Sequence, residues 1–538
     1  MLIQTLASQA EGSTTYAGKT LIERLTGRFY TPDVLATDLA RRACAAFSQR
    51  PAPNKIRICD PFCGDGRLIV AVLSEAQEWA DLRGRHWSVV LADIDAKACK
   101  AAAKLVKAAA DALGVSATIR TTVADSFLAT HSASYDIVVT NPPWEHLKPD
   151  AREMLHMTAT EKDNYRAALR LHCAELDRAF PNATAHKQWA GWGTNLARCG
   201  LELALRSSAP HGTIAIVLPS TMFADQASMR IRRFAIDQYT LENLSSYPAE
   251  ARLFARVDQP VLTAVFTNKK PASSVHTMLR MFGADQSVQK ETTIRMSRAE
   301  LDANDYALAV SFGAGADDIR SKLIEHGTLR DLEGELWTGR EIDETRMAEK
   351  TVPGLRHPFV KGRMIERHAV REMPNSSVRA ELAKRHRSVA YERIVWRDVA
   401  RSSQARRMIC ALIPSGWVAG NSLHVAHFQD GDPTKLRALY AVMSSYVFEM
   451  QVRSRLGTGH MSLGVVRSSG IPSLTKRVQA KLAKAATEAM SGGSNVWLEV
   501  AVAKSYGLRR DEFAAILSHF TKTTASEREQ LLNTVLWA

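Results

Sequence analysis

An asparagine followed by two prolines and a tryptophan, Asn141-Pro142-Pro143-Trp144, stands directly after the apolar run YDIVVT at 135–140. Two successive prolines remove two backbone donors and hold the chain in a stiff extended turn, so the Asn141 amide oxygen and the Pro142 carbonyl can point outward together. Two acceptors placed in this way suit an exocyclic amino group. Hydrogen bonds from both of its N–H groups would draw the nitrogen toward tetrahedral geometry and expose its lone pair for in-line attack on a sulfonium methyl. Trp144 adds a flat apolar face on which an extruded base could stack. Asn-Pro-Pro is also an ordinary turn signal, so the motif gains its meaning from what surrounds it.

Upstream, Asp60-Pro61-Phe62-Cys63-Gly64-Asp65-Gly66 lies between the apolar run IRIC at 56–59 and a helical pattern that begins at Arg67. Glycines at 64 and 66 let the backbone approach a ligand closely, and a helix N-terminus behind them favours negative groups. Many strand-to-helix turns need a glycine for geometry alone. The absence of a following GK[ST] excludes a phosphate loop. A carboxylate closes each of the next two runs, Asp93 in VVLADID and Asp125 in TVADSF. Asp93 is placed to hold a ribose diol and Asp125 to accept from an adenine amino group, while Asp95 suits the cap of the next helix better than Asp93 does. Three acids at three successive strand ends fit an adenosine-containing ligand lying across the carboxyl edge of a sheet.

The elements that must carry these residues follow from the apolar pattern. Runs at 56–59, 87–92, 117–123, 135–140 and 213–219 alternate with helical patterns at Arg67–Trp79, Ala96–Leu113 and Asn195–Arg206. That alternation predicts an α/β domain with a doubly wound, mostly parallel Rossmann-like sheet. The polar stretch TNKKPASS at 267–274 ends the regular alternation. The expected division is a catalytic domain over 1–315 and a C-terminal α+β recognition domain over 316–538, in keeping with a length of 538 residues.

Composition narrows the partners. A net charge of +14 favours a polyanion, and no apolar run approaches the roughly 20 residues of a spanning helix. The N-terminus lacks a basic start followed by an apolar core, so the chain is expected in the cytoplasm. Residues 361–407 hold 13 Lys and Arg against 5 Asp and Glu, interleaved with Tyr391, Trp396 and Gln404. Such a run is commonly a solvated face; the aromatics and amides within it suggest a nucleic-acid surface, with Arg397, Arg401, Arg406 and Arg407 as expected phosphate contacts. Seven scattered cysteines without CxxC pairing predict buried free thiols and no metal site.

Taken in order, TGRFYTP (26–32), DPFCGDG, ADID, VADSF and NPPW resemble the motif series of the gamma-group, TaqI-like amino-methyltransferases of bacterial restriction-modification systems. The segments 392–423 and 440–474 are similar to the C-terminal regions of the Eco57I-like members. The resemblance implies an S-adenosylmethionine-dependent enzyme that methylates N6 of a flipped adenine in double-stranded DNA, with a separately encoded restriction endonuclease as partner. It gives Phe29, Tyr30, Thr31 and Pro32 a place over the methionine part of the cofactor, beside Asp60, Pro61, Gly64, Gly66, Asp93 and Asp125. Asn141, Pro142, Pro143 and Trp144 form the catalytic loop, and Phe254 becomes the second wall of the base pocket, for which plain core packing is the competing reading. The chain departs from the pattern at Cys63, at Trp144 where tyrosine is frequent, and in a long insertion at 145–193. Only about 25 residues precede TGRFYTP, against the roughly 100 of a nuclease domain, so no fused nuclease is expected. Cytosine N4 as target, and a non-catalytic DNA-binding subunit, stay open as alternatives.

Overall fold

The computed structural model describes residues 31–129, 133–149, 154–185, 193–254, 259–308, 319, 322–323, 325–343, 351–352, 356–400, 404–456 and 460–538. Phe29, Tyr30, Arg401 and the expected domain boundary at 315/316 lie outside the described residues. The chain divides into two compact units, Met1–Val310 and Ser311–Ala538.

The first unit is built on nine strands: β1 (Lys55–Asp60), β2 (His86–Asp93), β3 (Ala117–Val123), β4 (Tyr135–Thr140), β5 (Ser208–Pro219), β6 (Thr240–Tyr247), β7 (Val261–Thr267), β8 (Ser274–Phe282) and β9 (Val288–Ser297). Their order across the sheet is β9-β8-β6-β7-β5-β4-β1-β2-β3. Neighbours from β3 to β5 are parallel. β7 runs antiparallel between β5 and β6, and β9 returns antiparallel along β8. Helices α1 (Asp33–Phe47), α2 (Arg67–Glu75), α3 (Ala96–Ala112), α5 (Leu196–Ser207) and α6 (Met229–Gln238) flank the sheet, while α4 (Ala159–Ala179) belongs to an excursion from it.

Burial on both faces explains why the central strands read as unbroken apolar runs. Successive side chains of a strand point to opposite faces. Ile137 and Val139 of β4 accordingly join one core, with Ile56, Ile58, Leu39 and Val72, while Val138 between them joins the other, with Ile214, Leu201 and Ile231. The sheet also continues past 267–274, where the regular alternation of strands and helices ends. β8 reads SVHTMLRMF, with Val275, Thr277 and Leu279 buried in alternation with exposed neighbours, and a turn in which Gly283 N donates to the Ser287 carbonyl (2.8 Å) leads into β9.

The second unit carries a four-stranded antiparallel sheet, β10 (Leu336–Gly339), β11 (Arg393–Arg397), β12 (Cys410–Ile413) and β13 (Leu423–Phe428), in the order β10-β13-β11-β12. Helices α7 (Pro433–Ser444), α8 (Tyr446–Ser454), α9 (Lys476–Met490), α10 (Val496–Ser505), α11 (Arg510–Ser518) and α12 (Ala525–Leu532) follow. Strands first and helices afterwards make it α+β. Among the described residues no helix is long and apolar enough to cross a membrane. All seven cysteines are buried and free.

Candidate active site

The loops at the carboxyl ends of β1, β2, β3 and β4 converge, and their polar groups tie them together. Asp60, the last residue of β1, takes the Phe62 amide (3.1 Å) and the Thr140 hydroxyl (2.7 Å) on Oδ1, linking the glycine turn to the end of β4. Asp93 takes the Gly64 amide on Oδ2 (3.1 Å) and the Asp95 amide on Oδ1 (2.9 Å). Its carboxylate thus fixes the glycine turn from the neighbouring strand, and Asp95 caps α3 through Lys97 N, as its position suggested. Ser126 donates to the Pro61 carbonyl (2.6 Å), and the Asp125 carboxylate takes the Phe127 amide (3.0 Å). Ser126 and Thr140 are braces that the motif reading passed over; Ser126 directly follows Asp125, and Thr140 ends β4.

Gly66, the residue before α2, has φ +84°, and a Cβ there would lie 3.0 Å from the Ala102 backbone of α3. Both the dihedral and the close approach require glycine. The turn therefore presents bare backbone at the mouth of α2, beside two strand-end carboxylates. This donor and acceptor set fits a nucleoside-containing cofactor with a charged amino-acid end.

Asp60 is buried, and burial is the main cause that pushes its carboxyl up to about 7, against the Thr140 and Phe62 hydrogen bonds that favour the anion. A carboxyl whose folded pKa exceeds its unfolded value near 4 gives stability that is full below about pH 4 and lost as pH rises toward 7. Asp60→Asn keeps an acceptor oxygen for both donors and has no charge to bury. Its melting temperature relative to the unsubstituted chain is expected to climb between pH 5 and pH 8, by the equivalent of at most ~4 kcal/mol. A pH-independent difference in thermal melts would contradict the assignment.

The Asn141-Pro142-Pro143-Trp144 loop leaves the end of β4 with both prolines buried. Asn141 Nδ2 donates to the Thr31 hydroxyl (3.2 Å), and Arg67 Nη1 donates to the Thr31 carbonyl (3.0 Å). Thr31, only 4% exposed, thereby joins the segment ahead of α1 to both the glycine turn and the Asn-Pro-Pro loop. Arg67 was not foreseen as a bridge, although it directly follows the glycine turn. Pro32 precedes α1 as its extended N-cap residue.

Trp144 and Phe254 are brought together, with ring centroids 5.2 Å apart and planes at 75°. Two parallel walls around a base stand about 7 Å apart, twice the contact distance of ~3.5 Å. The rings instead meet edge to face, the arrangement their quadrupoles favour, and Phe254 is 5% exposed in the core. The structure brings the two expected walls together as a packed pair.

The insertion at 145–193 leaves and returns at neighbouring points. Short strands His146–Leu147 and Thr194–Asn195 pair antiparallel, and between them α4 begins with a Thr158/Glu161 capping box. Cys173 and Leu176 of α4 pack with Phe127, Leu147, Leu196 and Leu203. Buried Glu202 of α5 accepts from Asn182 Nδ2 (2.9 Å) and the Ala183 amide (2.8 Å), anchoring the far side of the excursion.

In the second unit the basic segment is less available than its local charge suggests. Arg406 bonds Glu449 (2.6 Å), Glu499 (3.3 Å) and the Ser444 carbonyl (2.7 Å), with both glutamates fully buried. The expectation of Arg406 as a phosphate contact is corrected: its charge is already neutralised inside the unit. Arg407 is half-buried and its amide donates to Glu449 (2.6 Å). Arg397, also half-buried, donates from Nη2 to the Ile365 carbonyl.

No curated protein matches the chain. Among solved structures it is similar to a nuclease-deletion mutant of the Type ISP restriction-modification enzyme LlaGI in complex with a DNA substrate mimic (TM-score 0.53, 10% identity), covering 87% of this chain and 47% of that one. It is also similar to the Type IIL restriction-modification enzyme MmeI in complex with DNA (0.49, 12%, 95% and 74%) and to the type IIG restriction endonuclease BpuSI (0.44, 13%, 95% and 67%). At 10% identity the likeness to the LlaGI structure concerns the fold alone. The family model described as N-6 DNA Methylase matches residues 16–309, a span that holds the glycine turn, both strand-end carboxylates and the Asn-Pro-Pro loop. With more than half of its residues matched, the chain belongs to the N-6 DNA Methylase family and takes S-adenosylmethionine as its methyl donor.

Proposed function

We propose that the chain methylates N6 of an adenine turned out of duplex DNA. The observation that carries this reading is the position of Asn141-Pro142-Pro143-Trp144 at the carboxyl end of β4, beside the glycine turn after β1 and tied to it through Thr31 and Asp60. S-adenosylmethionine, when bound, supplies an electrophilic methyl group. The residues that would hold it are the Asp60–Gly66 turn, Asp93, Asp125, Thr31 and Pro32, with Phe29 and Tyr30 added by the motif resemblance. Asn141 Nδ2 donates to the Thr31 hydroxyl, and Asn141 Oδ1 with the Pro142 carbonyl are the acceptors this reading assigns to the target amino group. These acceptors act on the geometry of the reacting nitrogen and so favour the transition state over the bound substrate. Trp144 turns from its edge-on contact with Phe254 to lie flat on the base.

The second unit is read as the target-recognition part, with DNA as its ligand and a separately encoded restriction endonuclease as the partner of the whole. The family description favours adenine N6 over cytosine N4. Digesting DNA methylated by the protein to nucleosides is expected to yield N6-methyladenine deoxynucleoside. N4-methylcytosine deoxynucleoside would replace the adenine reading. No methylated nucleoside would favour a non-catalytic DNA-binding subunit.

A further inference from the structure

We infer that Gly200, in the middle of α5, is a positioning residue for methyl transfer: its missing side chain is the seat of Pro142. The inference rests on the reading of Asn141-Pro142-Pro143-Trp144 as the catalytic loop. Glycine inside a helix weakens it relative to alanine, and an isolated glycine in a helical pattern such as LARCGLELAL asks for a packing or functional reason. Conformation is not the reason, because Gly200 is not among the glycines with positive φ. Space is. A Cβ at this position would fall 2.3 Å from Pro142 Cβ and 2.8 Å from its Cγ, while its next neighbour, Phe62, stays at an ordinary 3.8 Å.

The clash cannot be relieved by a rotamer, since the atoms it meets belong to a proline ring whose φ is fixed. Nor can α5 easily retreat. Its first amide, Leu196 N, donates to the Glu145 carbonyl (2.9 Å), directly after Trp144. Asn195 caps it through Arg198 N, Arg198 Nη1 donates to the Ala227 carbonyl (2.7 Å), and Glu202 is bonded to the insertion. Cys199 and Leu201 on either side are fully buried. The displacement falls on the loop, and the Pro142 carbonyl and Asn141 amide move with it.

The experiment compares Gly200→Ala and Gly200→Ser with the unsubstituted protein, measuring kcat and KM on DNA, cofactor affinity by titration, and the loop position in crystals of each variant. Misplacement by about an ångström is expected to lower kcat by about 10–100-fold, with serine no better than alanine. KM and cofactor affinity should stay within about twofold, since the Asp93 and Asp125 carboxylates are held by the Gly64, Asp95 and Phe127 amides and not by the Asn-Pro-Pro loop. In the crystals Pro142 should be displaced from its seat. Turnover within twofold of normal in both variants, or Pro142 unmoved, would overturn the inference. Joint loss of cofactor binding and turnover would overturn it too, as a general collapse of the fold. An unsubstituted protein that methylates no adenine would strike the functional reading instead, and the displacement of Pro142 in the crystals decides the role of Gly200 without reference to activity.

Discussion

Asn141→Ala should lower kcat for methyl transfer by at least about 10²–10³-fold, the loss typical of removing one preorganised hydrogen-bonding group from a developing charge. Affinity for DNA and cofactor should hold, because the amide acts on the reacting nitrogen and the strand-end carboxylates are untouched. The variant also loses the bond from Nδ2 to Thr31. Thr31→Val removes that bond while leaving Asn141 in place, and should cost turnover only a few-fold, about the worth of one neutral hydrogen bond. Single-turnover kinetics with both variants separates the two contributions. Comparable losses in both would mean that Asn141 serves mainly to hold Thr31.

Arg406→Ala should destabilise the second unit while leaving the electrostatics of DNA binding unchanged. Although burial opposes its charge, Glu449 and Glu499 hold the guanidinium protonated, and the group lies 3.8 Å over the Tyr446 ring. Removing it leaves Glu449 with Arg453 and Glu499 with Arg367, two carboxylates for two arginines where three cations stood. Neither carboxylate is left without a cation, but Glu449 Oε2 loses the bond from Nε and the space of the guanidinium is emptied, a loss of about 1.5–3 kcal/mol for the charged hydrogen bond alone, read as a fall in melting temperature. The salt dependence of DNA binding, measured below that temperature, should keep its slope, because the group neutralises glutamates and not phosphates. A slope reduced by about one unit with normal melting would restore Arg406 to the DNA surface.

These two residues mark where the sequence is informative. Asn141, Asp60, Asp93 and Asp125 were legible because each sits at the end of a strand or on the turn after it, and a parallel sheet places all such ends on one edge. Their local order therefore determines their spatial order. Arg406 was misread because its partners come from residues 43 and 93 positions further along the chain, and a window of local charge does not contain them. Phe254 falls between these cases. The motif series gives its neighbour, Trp144, but the angle between the rings comes from packing against two cores. The β8–β9 hairpin carried a readable two-residue alternation in SVHTMLRMF, and went unread because the polar stretch before it resembles a domain end.

The excursion after the catalytic loop begins and ends at one short ladder of two residue pairs, so the path between can change length without moving the loop or α5. Lengthening a closed segment is cheap, about 0.6 kcal/mol for each doubling. Excision is not, because Asn182 and Ala183 satisfy a carboxylate of Glu202 that has no access to water. Insertions and deletions are therefore tolerable ahead of Met154, which packs with Tyr165 and Leu169 of α4 and starts the part that must keep its length. The stretch from Cys173 to Ala183, which packs beneath Phe127 and completes Glu202, must be retained in any shortened version of the chain.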